Sequence, residues 1–244
     1  MDKDILKLFP QKAFKLLSIK DSIRIGSLVT SSLINKQSYD EQYKKRLLQW
    51  RWQAIKMQSE SITKKNSLFT KTDGEKILQI YFSQFFENDL TVHLDYRGSF
   101  TCVDQTLYWK PSRLHYKFSN QFIEGVRQLY QGFYLEDNSQ FERGLKLIGI
   151  ISESMNEKDK EDIIELFTQH FGEGKSGLIR FSLAKLQVSF NEIFAFFLKK
   201  DIPLNPEFAV LGVALVTLYS VLQEIPEALD VKSAFMKVDI TALN

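Results

Sequence analysis

With 244 residues, 44% hydrophobic and 25% charged, the chain has the size and balance of one large or two small globular domains, which excludes a disordered or fibrous polymer. Its single cysteine, Cys102, excludes an internal disulfide, argues against a cysteine-based metal site and makes a reducing, cytoplasmic setting the default. The net charge of +2 hides an asymmetry, because residues 1–65 hold 14 Lys/Arg against 6 Asp/Glu whereas the remainder is net −6.

The N-terminal stretch MDKDILKLFPQKAFKLLSIKD carries acids at once and has no long apolar core, so it does not read as a secretory signal. Ile5, Leu8, Phe9, Phe14, Leu16 and Leu17 form a helical stripe, with Pro10 fitting a first turn where its missing N–H is harmless. Asp21 opens a second helix through Ile34, and Ser38 opens a long basic one. In the latter Tyr39, Tyr43, Leu47, Trp50, Ala54 and Met57 recur at helical spacing. Trp50 and Trp52 interleave with Lys45, Arg46, Arg51 and Lys56, the composition of a nucleic-acid surface, but Trp50 belongs to the apolar stripe. Nucleic acid is therefore not the favoured partner. Solvated helix faces account for the basic excess, and an exposed apolar stripe beside Lys7, Lys12 and Lys15 would support peripheral membrane contact. Lys64–Gly74 reads as a loop, dividing a basic helical segment, 1–66, from a helical region, 67–244, within one compact domain.

Asp73 is expected to cap a helix over Glu75–Glu87, whose aromatic face implies burial. Leu90–Lys110 is the one convincing β-region: Val92, Leu94 and Phe100 alternate, and VDQTLYW reads as strand, tight turn at Asp104–Gln105, strand. Beyond Ser119 the periodicity predicts helices over roughly 119–135, 138–152, 157–171, 178–200 and 205–223. Asp137, Asn156, the Gly172–Gly177 stretch, Pro203 and Pro206 punctuate them. The apolar run Phe208–Leu222 falls short of the roughly 20 residues a membrane span needs and reads as a core helix. The expected fold class is mainly α: eight or nine helices with a small two- or three-stranded antiparallel β element near residues 90–109.

Few residues suggest chemistry. GEGKSG at 172–177 lacks the first glycine and the preceding strand of a phosphate loop. His93, His115 and His170 lack metal-ligand spacing, so neither a metal nor a cofactor is expected. His170 ends a helix, where a cationic side chain is favoured and a structural role suffices. What remains is His93, Asp95 and Arg97. An imidazole and a carboxylate leave a strand beside a loop, Arg97 adds a planar donor fork for carboxylate or phosphate, and Gly98 allows the turn. These three are the expected ligand-binding residues. The competing reading is a salt-bridged turn that closes a small sheet.

From about Ile77 to residue 225, about 60% of its length, the chain resembles the C-terminal half of the AarF/UbiB atypical kinase-like family. That family passes from an aromatic helix into a strand and a His-Ala-Asp-x-His-Pro-Gly-Asn loop, then a hairpin ending in Asp-Phe-Gly, then helices. YFSQFFENDLTVHLDYRGS keeps this order, with His93, Asp95 and Gly98 matching the first His, the Asp and the Gly if one residue is deleted. DIPLNPEFAVLGVALVTLYSVLQEI is similar to the family's closing segment. The departures are substantial: Ser99 replaces the metal-binding Asn, CVDQTLYWKPS replaces Asp-Phe-Gly, and residues 1–76 lack the Lys-x-Gly-Gln motif. Phosphoryl transfer needs the positioned lysine and the metal-holding carboxylates together. The resemblance therefore implies a degenerate relative, linked to quinone or other lipid-linked biosynthesis.

The function expected is that of a non-catalytic accessory or pseudoenzyme-like protein, binding a small ligand or a protein partner through the His93–Arg97 loop. One alternative is an enzyme, either a divergent phosphotransferase or an all-α protein whose twenty Phe line a hydrophobic cavity. Another is a membrane-surface adaptor.

Overall fold

A reciprocal cap between Thr70 and Asp73 opens the helical part of the chain. The Asp73 carboxylate accepts from the Thr70 N–H at 2.9 Å and from its hydroxyl at 2.8 Å, and the Asp73 N–H donates back to that hydroxyl at 3.3 Å. Two otherwise orphaned groups are thereby satisfied, so helix α1 (Lys71–Phe86) starts earlier than the expected Glu75, with Asp73 inside its first turn. The computed structural model describes residues 26–27, 55–57, 68–86, 91–172 and 177–242. Of the helices expected before residue 55 only Gly26 and Ser27 are described, and both are helical; Lys7, Lys12, Lys15, Trp50 and Trp52 lie outside the described residues.

Strand β1 (Ile55–Met57) corrects part of that expectation. It lies where the long basic helix was predicted, yet pairs in parallel with a strand far along the chain. Its partner β4 (Thr106–Trp109) forms a hairpin with β3 (Phe100–Val103), and an unpaired hairpin edge offers backbone groups that outcompete a local helical preference. The sheet order is β1-β4-β3, so this sheet is mixed rather than wholly antiparallel. The predicted turn stands: Asp104 and Gln105 both have positive φ, 48° and 62°, the primed geometry that matches the twist of paired strands.

Strand β2 (Thr91–His93) pairs antiparallel with β5 (His115–Lys117), setting His93 opposite His115. A third ribbon joins β6 (Leu178–Ile179) to β7 (Leu229–Asp230). Residues 178–182, expected to be helical, are therefore strand and connection. Helix α5 begins only at Leu183, capped by Ser182.

The other helices are α2 (Asn120–Tyr134), α3 (Asn138–Leu147), α4 (Glu157–Phe171), α5 (Leu183–Lys200), α6 (Pro206–Leu222) and α7 (Val231–Ala242). Seven α-helices are present among the described residues, slightly fewer than expected, and the fold is mainly α with small β elements. Side-chain caps open four of these helices: Ser119, Asp137, Asn156 and Asn205 each accept a backbone N–H two or three residues on. Helix α7 has no counterpart among the predicted elements.

Two seams fix the helical core. Helices α2 and α3 meet at backbone distance, because a Cβ on Gly132 would lie 2.2 Å from the Phe141 nitrogen and one on Gly144 2.5 Å from the Leu129 nitrogen. Helix α6 is apolar on every side and buried, with Ala214, Val216 and Thr217 fully enclosed. Its N-terminus is a junction. The Glu207 carboxylate accepts from the N–H and hydroxyl of Ser119, which caps α2, while Asn205 Nδ2 donates to the Ile148 carbonyl at the end of α3. No helix among the described residues is long and apolar enough to cross a membrane.

Candidate functional site

The expected site residues divide between two kinds of local bonding. His93 is buried, donates from Nδ1 to the Ser112 carbonyl at 2.9 Å and sets its ring edge-on to Trp109. Its backbone N–H donates to Gln84 Oε1, and Gln84 in turn donates to the Tyr96 hydroxyl. Asp95 and Arg97 instead close on each other. The Asp95 carboxylate accepts from Arg97 Nε and Nη2 at 3.0 Å each, and from the Arg97 N–H at 3.1 Å. The turn is completed by Gly98 at φ 65° and by Ser99, whose hydroxyl donates to the Asp95 carbonyl. The alternation of Val92 and Leu94 puts these two on one face of the strand and His93 and Asp95 on the other. Both faces are covered, since Thr91 and His93 are as buried as their neighbours.

The segment is also tied into the core from below. Thr217 of α6 donates its hydroxyl to the Leu94 carbonyl at 2.7 Å and accepts from the Tyr96 N–H at 3.4 Å. Arg97 thus has its fork occupied by Asp95, and His93 has a ring nitrogen committed to the backbone. Cys102 is no better a reactive group: burial, then the neighbouring Asp73 carboxylate, raises its thiol pKa, which disfavours the thiolate. Among the described residues no three His, Cys, Asp or Glu side chains cluster closely enough to hold a metal ion.

A concave site lies elsewhere, where α1, α2, α4, α5 and α6 converge. It consists of three neighbouring cavities that share wall residues. The inner chamber, about 50 Å³, is walled by Leu78, Tyr81 and Phe82 of α1, Tyr130 and Tyr134 of α2, and Leu215, Leu218 and Tyr219 of α6. The middle chamber, about 120 Å³, is lined by Gln169, Arg180, Ser182, Lys185 and Ser189. His170, Phe171, Ile179 and Tyr219 border both chambers. An outer groove of about 330 Å³, which includes the exposed Val188, shares Gln169, Lys185 and Ser189 with the middle chamber.

His170 stands at the junction. Its Nδ1 shares a hydrogen bond of 2.7 Å with the Ser189 hydroxyl, and its ring lies against Phe190 and edge-on to Phe171. Burial pushes its pKa down to about 4. The imidazole is therefore neutral at physiological pH, which corrects the expectation of a helix-end cation: the cost of placing charge among aromatic rings outweighs the field of the helix end.

The inner chamber is phenolic. The Tyr81 and Tyr130 hydroxyls share a hydrogen bond of 2.5 Å, and burial holds Tyr81, Tyr130 and Tyr134 well above the usual phenol range. These groups stay protonated and act as neutral donors and acceptors, not as bases. Sequence reasoning missed the cleft because its residues come from six separated stretches. Only the aromatic run YFSQFF and the position of His170 gave a signal, and both read equally well as core.

No protein-family model matches the chain, and no curated protein matches it.

Proposed function

We propose that this protein is a non-catalytic accessory protein that binds a small ligand, and that the ligand enters the aromatic cleft at His170 rather than the His93–Arg97 turn. The observation that carries this reading is the group of three neighbouring cavities, which share wall residues and meet around the neutral imidazole of His170, one of them walled largely by phenols and other aromatic rings. Mostly apolar walls with a few convergent polar groups are the usual make-up of a small-molecule site. None of His93, Asp95 and Arg97 lines these cavities.

Support for the non-catalytic part comes from the positions that the AarF/UbiB resemblance would assign to metal and phosphate. Asp95 is closed on Arg97, Ser99 is bonded to the Asp95 carbonyl, and Asp104 sits exposed in the hairpin turn. Each serves local structure. The resemblance itself, and the link to quinone or lipid-linked biosynthesis that it implies, belong to this proposal on the strength of element order alone.

The test is an NMR titration of the full chain with benzyl alcohol, a neutral aromatic probe, beside a calorimetric titration with ATP and Mg²⁺. Benzyl alcohol should move the His170 ring signals and the tyrosine ring signals while leaving those of His93 and His115 in place, and ATP with Mg²⁺ should give no binding heat. Probe shifts confined to His93, or micromolar ATP affinity, would overturn the reading.

A further inference from the structure

Counting donors against acceptors at the tyrosines of the cleft leaves two O–H groups over. Among the described residues the Tyr81 and Tyr130 hydroxyls bond only to each other, and in such a pair one donates and the other accepts. The accepting hydroxyl keeps its own proton, which still needs an acceptor. The Tyr134 hydroxyl makes no hydrogen bond to any described residue. Its residue is only 4% exposed, yet its oxygen is not closed off from a water-sized sphere. Burial, then the proximity of Tyr130 and Tyr219, holds the Tyr134 pKa well above the usual phenol range, so this group too stays a donor.

The space beside these groups has a definite size. The inner chamber, about 50 Å³, counts Tyr81, Tyr130, Tyr134, Tyr219 and His170 among its walls. It is well under the roughly 150 Å³ of a cavity that takes a benzene ring. A water molecule needs roughly 10–15 Å³ and occupies roughly 30 Å³ in the liquid. Cavities that stay dry are apolar, whereas buried polar groups are as a rule bonded to protein or to ordered water.

We infer that the inner chamber is a water-binding site, in which about one or two ordered waters accept hydrogen bonds from the Tyr134 hydroxyl and from the surplus O–H of the Tyr81–Tyr130 pair. Water suits this wall because it brings acceptor lone pairs to a cluster of phenols with protons to spare. Without it, each O–H would carry the desolvation cost of a buried donor left unmatched. A neutral guest also matches these groups, since the phenols stay protonated and the His170 imidazole titrates near 4. The floor of the cleft can then accept hydrogen bonds as well as donate them. This holds whether or not a ligand enters above it.

The experiment is magnetic relaxation dispersion of the solvent oxygen nucleus, on the full parent chain and on Tyr134→Phe, with xenon titrated into the parent under NMR. The parent should hold about one more long-lived water than the variant, and xenon should leave the Leu215 and Leu218 methyl signals in place. Tyr134→Phe should also raise the unfolding equilibrium constant in urea about fivefold, the equivalent of one lost hydrogen bond. Equal dispersion in parent and variant overturns the assignment, whatever the change in stability. A lower unfolding constant in the variant overturns it as well, because removing a dry, unmatched hydroxyl stabilises the folded state. Xenon shifts at Leu215 and Leu218 would mark a dry chamber and overturn it from the parent alone, so the test stands even if the variant fails to fold. None of these outcomes decides ligand binding at His170, which the benzyl alcohol titration tests separately.

Discussion

Replacing His170 with Gln should remove a pH-dependent loss of stability that the parent protein shows between pH 6.5 and 4. The imidazole in the folded state titrates near 4, against about 6.5 for an exposed histidine. Its folded pKa is depressed, so below pH 6.5 the unfolded chain takes up a proton that the folded chain refuses, and stability falls as pH falls. At pH 5 the unfolded state is favoured through this one group by about 2 kcal/mol relative to pH 7.5. That is an upper figure, because the ring keeps some exposure to the cleft. Urea unfolding at pH 7.5 and pH 5 would measure it, and the parent should lose up to about 2 kcal/mol more than His170→Gln over the interval. The Asp159–Lys200 pair also favours the folded state, but the Asp159 carboxyl is held below its ordinary range and so contributes to acid unfolding only below the interval used. A second measurement stands independent of folding: the His170 ring protons should titrate near 4 by NMR while the protein is native. A midpoint near 6.5, or the same pH profile in parent and variant, would refute the buried neutral imidazole.

Gly144→Ala should destabilise by at least about 2 kcal/mol despite its better helix propensity, because the new Cβ meets backbone atoms of α2 that cannot step aside. Gly172→Ala, with open space around its Cβ, should be neutral or slightly stabilising; thermal melts of the two distinguish crowding from propensity. Thr217→Val keeps the shape but leaves the Leu94 carbonyl and Tyr96 N–H without that hydroxyl, a loss of about 1–3 kcal/mol by urea unfolding. Asp95→Asn and Arg97→Ala should each cost no more than about 1 kcal/mol, the worth of a part-exposed ion pair, and should leave benzyl alcohol affinity unchanged; a tenfold loss of that affinity would return the site to the turn.

The contrast between these residues shows what a sequence can reveal. Helix ends were legible because a cap is a local event: Ser119, Asp137, Asn156 and Asn205 satisfy orphan N–H groups within their own turn. The Asp104–Gln105 hairpin turn was legible for the same reason. Strand β1 was not, since its pairing with β4 spans about fifty residues and leaves no trace in local spacing. The ribbon β6–β7 hid likewise inside an apparent helix start. For the site, Asp95 and Arg97 stood out as chemistry because charged residues near a strand end are conspicuous, yet their bonding is mutual. Tyr81, Tyr130, Tyr134 and Tyr219 looked like core, and only the way α1, α2 and α6 meet brings them to the wall of one chamber.

The glycine seam between α2 and α3 carries a consequence for the order in which the molecule assembles. These helices are neighbours along the chain, and the bare backbones at Gly132 and Gly144 let them close without long loop entropy. Pairs of this kind are quick to form, whereas contacts between distant stretches come late. The cleft is made of such distant stretches, from Leu78 in α1 to Tyr219 in α6 and Val231 in α7. The α2–α3 hairpin is therefore expected to form early and the cleft last. A ligand bound there favours only the finished molecule, so occupancy would slow the first opening of the chain more than it would hasten folding.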